Sequence, residues 1–206
     1  MVQNEREEGR RPRGRPRSFD PAEALEKARA VFWNQGYAAA SLDELAAATG
    51  LNRPSLYAAF GDKRALYLAA LEQSRSEGIG ALTAALKLPG PLRPLLKVIF
   101  DRTVDIYRRG ELGQRGCFLV STAVTQAVDD PDARAALGRY VAEMDALFAA
   151  RFEADRGALA PGLSPAAAAA MATAAIHTLA IRARTGAGET ELRAVGQAAA
   201  AAICGG

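Results

Sequence analysis

The stretch Ser41 to Lys63, SLDELAAATGLNRPSLYAAFGDK, specifies its own local structure more tightly than any other part of the chain. Ser41 is a good N-cap, and Glu44, three residues on, completes a capping box. Leu42, Leu45 and Ala46 then fall on one helical face. Thr49 and Gly50 stop that helix, because Gly50 can take a left-handed backbone that a Cβ resists. Asn52 caps a second helix whose first turn holds Pro54, where a missing N–H costs little. Leu56 and Phe60 turn inward and Gly61 ends the helix. Two short helices joined by so tight a turn make a helix-turn-helix, whose second helix can enter a DNA major groove.

The remaining punctuation predicts helices and no strand. Asp20-Pro21 opens a first helix with the inward stripe Ala24, Leu25, Ala28, Val31 and Phe32, ended by Gly36. Asp62 caps a fourth helix through Leu66, Leu68 and Leu71 to near Glu77. After a break at Lys87-Leu88-Pro89-Gly90-Pro91, helices are expected near 93–108, 117–128, 131–154, 165–184 and 189–203. The expected fold is all-α: a three-helix head carrying the helix-turn-helix and a larger helical body, about nine helices altogether. The divisions read as residues 1–18, an arm without apolar periodicity that should be disordered in isolation, then 19–65 and 66–206.

From about Phe19 to Glu72 the chain resembles the DNA-binding domain of the TetR family of bacterial transcriptional regulators. The resemblance rests on Ala28 and Phe32, Gly36-Tyr37, Ser41-Leu42, Leu45-Ala46, Gly50-Leu51, and above all Leu56-Tyr57-Ala58-Ala59-Phe60 followed by Lys63 and Leu66. It implies that Tyr37, Ser41, Tyr57 and Lys63 contact phosphates. It also implies that the last two long helices build a homodimer. Ala58 and Ala59 depart from the pattern, since larger aromatic or histidine side chains are frequent there, so an operator cannot be carried over from relatives.

Charge is distributed unevenly. Residues 1–18 hold six arginines against three glutamates, while the rest of the chain balances, so the whole net charge of +3 sits in the arm. Gly14-Arg15-Pro16-Arg17 is narrow and cationic. Ahead of a helix-turn-helix, Arg15 and Arg17 suit a narrow minor groove; the plainer alternative is a solvated basic tail. On the second helix of the motif, the candidate contacts are Asn52, Arg53, Pro54, Ser55, Tyr57 and Ala58. Arg53 has the geometry to read guanine, or else to hold a phosphate. Tyr57 is either a half-buried aromatic or a phosphate contact, and the two are compatible. Ser41 adds the free N–H groups of a helix start.

For the body, the larger residues Phe100, Val104, Tyr107, Phe118, Thr122, Met144 and Phe148, with Cys117, are candidates to line a pocket for a small hydrophobic effector; the alternative for each is ordinary core. Cys117 follows Arg115-Gly116 at a helix start, a setting that lowers a thiol pKa, so a redox or electrophile sensor stands beside a buried small hydrophobe. Two distant cysteines and the single His177 offer neither a disulfide framework nor a zinc site. No phosphate loop, nucleophile elbow or convincing carboxylate pair appears, so no enzyme, cofactor or metal is expected. No secretory leader and no run long and apolar enough to span a bilayer is read, which favours a cytoplasmic protein without a membrane partner. The Ala-rich, charge-poor last two helices read as a homodimer surface or as an internal helix pair.

The combined expectation is a transcriptional regulator, a repressor released from a palindromic DNA operator by a small effector. A thiol switch at Cys117 and a non-specific architectural DNA binder remain as alternatives. Removing residues 1–17 should weaken DNA binding and flatten its salt dependence, each lost phosphate neutralisation lowering the log–log slope by about 0.9. Titrations of the truncated and full chains across a salt series check this, and coincident curves would leave the arm without a role.

Overall fold

The computed structural model describes residues 19–109 and 115–205, so Arg15, Arg17 and the rest of the basic arm lie outside the described residues. Those described form helices and connections, with no strand among them. The head is α1 (Pro21–Ala39), α2 (Leu42–Thr49) and α3 (Arg53–Phe60). Then come α4 (Lys63–Leu86) and α5 (Leu92–Tyr107), a π-helical turn Leu119–Ala123 running into α6 (Val124–Gln126), α7 (Pro131–Ala154), α8 (Pro165–Arg184) and α9 (Glu189–Cys204).

Most helix starts are where their caps put them. Asp20, Ser41, Asn52, Asp62, Asp130 and Ser164 each accept a backbone N–H at the head of the helix that follows. The Ser41–Glu44 capping box is complete. Gly50 is left-handed at φ 71°, which lets α3 turn back across α2. Leu45 and Leu56 from these two helices bury against Ala28 and Phe32 of α1, so the head has a small core of its own.

Two sequence expectations need correction. The fourth helix does not stop near Glu77; α4 continues through Gly78 and Gly80 to Leu86. At Gly78 the missing side chain makes room for Tyr140, whose ring lies 3.4 Å from where a Cβ would stand. A division at residue 65 therefore falls inside one continuous helix. The segment expected as a helix from Cys117 is helical from Phe118 to Gln126, but it is wound as a π-helix over Leu119–Ala123.

In the body, α7 packs along α8 and α4, while α5 packs on α9. By length and composition α8 could cross a bilayer, with mean hydropathy 1.3, so the expectation that no segment qualifies does not hold. Half of α8 is buried against its neighbours, which is where a core helix obtains the same composition.

Gly116 joins the body to the segment after α5. Its φ is +63°, and a Cβ there would meet the backbone oxygen of Ala180 at 2.6 Å. Neither feature can relax through a flexible side chain. Gly116→Ala should therefore lower stability by about 2 kcal/mol or more, from the left-handed backbone together with the overpacking. Denaturant unfolding compared with the parent chain measures it.

Candidate nucleic-acid interface and body cavity

On the head, α3 is buried along one side only. Leu56 is sealed, Phe60 is partly buried, and Asn52, Arg53, Pro54, Tyr57 and Ala58 face solvent. Tyr57 is 44% exposed, a high value for an aromatic ring with no packing partner on its outer side. Asn52 Oδ1 is taken up by the Ser55 amide at 2.8 Å, so that oxygen holds the helix start rather than facing outward. Arg53 reaches back to Asp43 on α2, Nε donating to Oδ1 at 2.8 Å, so a DNA contact by Arg53 must share or replace that carboxylate.

Tyr37 and Lys63 sit together at the edge of this face. The Lys63 ammonium stands 4.6 Å above the Tyr37 ring and also donates to the Ala38 carbonyl at 3.4 Å. Burial, then the nearby carboxylates Asp62 and Asp130, raises the Tyr37 phenol above its ordinary value. Ser41 is engaged in its box, its hydroxyl donating to Glu44 Oε2 at 2.7 Å while accepting the Glu44 amide. The Ser41 backbone N–H, 2.8 Å from Glu44 Oε2, then the Ser41 hydroxyl and Gln35, hold the Glu44 carboxyl below the usual range. Ser41 therefore has its backbone at the head of α2, with its hydroxyl committed.

The body encloses a cavity of about 710 Å³. It opens between α4 and α5 and is floored by Tyr107, Cys117, Phe118, Tyr140, Met144 and Ile176. Four of the sequence candidates line it: Tyr107, Cys117, Phe118 and Met144. The other four do not, and each has a packing reason. Phe100 abuts α9 at Gly196, where a Cβ would lie 2.7 Å from Phe100 Cβ. Phe148 stacks on Phe152 at 5.6 Å between ring centroids. Val104 is sealed in the core of α5. Thr122 accepts the Tyr67 hydroxyl at 3.0 Å and donates to the Phe118 carbonyl, so its oxygen is used up.

The wall also contains residues that sequence reasoning missed. Arg29 and Trp33 come from α1 of the head, and Arg102 and Ile106 from α5. Trp33 donates through Nε1 to the Arg115 carbonyl at 2.8 Å, and the Arg115 guanidinium lies 5.1 Å from its ring. Only the tertiary fold brings residues 29 and 33 beside 115–118; no local pattern marks them.

Cys117 Sγ is met by the Val120 and Leu119 amides and by the Tyr140 and Tyr107 hydroxyls. Burial nevertheless raises its pKa, so the lowering expected from a helix start and a neighbouring cation is outweighed. His177 lies on α8 beside Tyr140, its Nε2 buried and without a partner, and burial lowers its pKa against the pull of Asp145. Among the described residues no three His, Cys, Asp or Glu side chains are grouped as a metal site requires.

Residues 24–70, the head and the start of α4, match the family of bacterial regulatory proteins named for TetR. A solved structure of the TetR family transcriptional regulator CifR, a cysteine mutant complexed with 26-base-pair double-strand operator DNA, is 30% identical. The match covers 91% of this chain and 99% of that one, with a TM-score of 0.81. The chain belongs to the TetR family. Other members differ in how far they can be followed. YezE of Bacillus subtilis, an uncharacterised regulator of helix-turn-helix type, is 33% identical over 62% of this chain and 63% of its own length. The repressor ComR of Escherichia coli is 47% identical over 31% of this chain and 30% of its own. The chain thus spans less than two thirds of the length of these curated TetR-type relatives. The reduced form of Escherichia coli NemR, at 19% identity and a TM-score of 0.76 over 89% of this chain and 96% of its own, shares the fold.

Proposed function

We propose that this chain is a sequence-specific DNA-binding repressor that works in the cytoplasm as a homodimer and leaves a palindromic operator when a small apolar effector fills the body cavity. The observation that carries the reading is the outward face of α3: Arg53, Pro54, Tyr57 and Ala58 stand exposed on a head whose core is otherwise closed. A helix of that length, fixed at its start by Asn52 and backed by α2, fits a major groove. CifR, which covers nearly the whole chain in the comparison, is seen on operator DNA. Tyr37, Ser41 and Lys63 flank α3 where the phosphate backbone would pass. Arg15 and Arg17 precede the head in sequence and extend the same positive charge.

The pairing surface is α8 with α9. Met171 and Ile181 are exposed on α8, 39% and 57%, among Ala170, Ala174 and Thr178, and α9 exposes Ala194, Ala198 and Ala202 on its outer side. Small side chains let helices of two copies approach closely. Pairing there sets the distance between two α3 helices, which must be about one DNA turn, roughly 34 Å, for both half-sites to be engaged. An effector that fits only one spacing shifts the population toward it by its differential affinity and by nothing else.

Selection from random-sequence duplexes tests the reading. The enriched site should be an inverted repeat, held about a thousand-fold or more over unrelated DNA. Arg53→Ala should relax selection at one base step by about ten-fold. Equal affinity for unrelated duplex would instead make this a non-specific architectural protein.

A second reading has its own observation: Cys117 opens onto the cavity, with two hydroxyls and two amides directed at its sulfur. That arrangement stabilises a thiolate once a reactant draws it out, so the same cavity serves a thiol-based sensor of oxidants or electrophiles. Cys117→Ser should then abolish release from the operator by hydrogen peroxide or an alkylating agent while the duplex is still bound. Release that persists in the variant removes this reading.

A further inference from the structure

The cavity carries a charge pattern that an apolar effector does not explain. Among the described residues its lining includes four arginines, Arg29, Arg102, Arg109 and Arg115, and one carboxylate, Glu77. Three of the guanidinium groups are placed differently from ordinary surface charges. Arg29 is 8% exposed and held from one side, Nη1 donating to Glu77 at 2.6 Å and to Ser74 at 3.1 Å, with Nη2 paired to Glu26. Its Nε is buried with no hydrogen-bond partner. A buried donor left open costs about 1–3 kcal/mol unless something accepts from it. Arg115 lies against the Trp33 ring. Arg102 stands exposed at the mouth on α5, and among the described residues nothing pairs with it. Below this rim the floor is closed and apolar, with Phe118, Leu119, Met144 and Ile176 buried around the Tyr107 and Tyr140 rings.

We infer that the cavity takes an amphipathic anion: an alkyl or aromatic body lying on the floor, and a carboxylate or phosphate head at the arginine rim. This rests on the reading that the cavity is the effector site and gives that effector a chemical class. The volume suits a small molecule of this kind. At the rim a planar guanidinium gives a carboxylate or phosphate charge-assisted, bidentate hydrogen bonds that a neutral head cannot make. An alcohol of the same length keeps the apolar contacts and loses the charge-assisted bonds. A cationic ligand would meet the rim with like charge.

The probes are octanoate, octyl phosphate and 1-octanol, titrated into the full chain by calorimetry. Trp33, the chain's one tryptophan, stands in the cavity wall, so its emission reports whether the cavity is where each probe goes. Octanoate or octyl phosphate should bind about ten-fold or more tightly than octanol, and the stronger of the two identifies the head group. Added salt should weaken the anions and leave octanol unchanged. In the double variant Arg102→Gln with Arg109→Gln the anions should fall to the affinity of octanol, and Arg102→Lys with Arg109→Lys should recover part of the difference. Equal affinity of acid and alcohol in the parent chain, or discrimination undiminished in the glutamine variant, overturns the anion assignment while leaving an apolar effector site in place. Neither heat nor an emission change with any of the three probes removes the effector site itself.

Discussion

The two parts of this molecule are joined at a run of aromatic rings packed where the head meets the body. Phe32 and Tyr37 of α1 pack on Tyr67 of α4, with centroids 5.2 and 4.9 Å from its ring, and Tyr67 in turn meets Phe118 at 6.1 Å. Trp33 closes the run against Phe118 at 5.5 Å. Edge-on and tilted rings at these separations contribute about 0.5–1.5 kcal/mol per pair beyond their burial, so the junction is a rigid block rather than a hinge. Its polar end is also fixed. The Tyr67 hydroxyl donates to Thr122, which passes its own proton to the Phe118 carbonyl. Burial pushes the Tyr67 phenol up to about 12, so it remains a donor throughout the neutral range.

That block changes what the cavity means. Because α1 contributes Arg29 and Trp33 to its wall, a molecule inside touches the helix that supports α2 and α3 directly. No relay along α4 is needed for the contents of the body to be felt in the head. Arg184 of α8 adds a second tie, donating to the Trp33 carbonyl at 3.0 Å, so α1 is gripped by α8 as well. The cavity wall, α1 of the head and α8 thus meet at one residue, Trp33.

What could be read from the sequence follows from the range over which each cause acts. Caps and turns act within four residues, and Ser41, Asn52, Asp62, Asp130 and Ser164 all start helices in the structure as their side-chain chemistry requires. The exposed face of α3 was legible for the same reason, since the inward positions Leu56 and Phe60 leave the others outside. The cavity was not. Phe100, Val104 and Phe148 have the right chemistry for a ligand wall, but which way a helix turns depends on its neighbours, and Gly196 and Phe152 drew two of them into the core. Arg29 reads as one more charge on a surface helix until Glu77, forty-eight residues on, is brought beside it.

A second attachment is ionic and lies close to the aromatic run, since the Asp130 carboxylate is felt by both the Tyr37 and the Tyr67 phenol. Arg64, one residue into α4 and immediately past the recognition helix, donates to both oxygens of Asp130 at 2.7 and 2.8 Å and to Asp132 at 2.6 Å. The guanidinium holds the Asp130 carboxyl below its usual range while that same carboxylate caps α7. The group is exposed and screened, so its contribution to stability is small. Its geometry matters more, because a bidentate fork tolerates little rotation. Tilting α3 relative to the body strains both the ring stack and this fork. The solvated ion pair opens at far less cost than a dry ring stack.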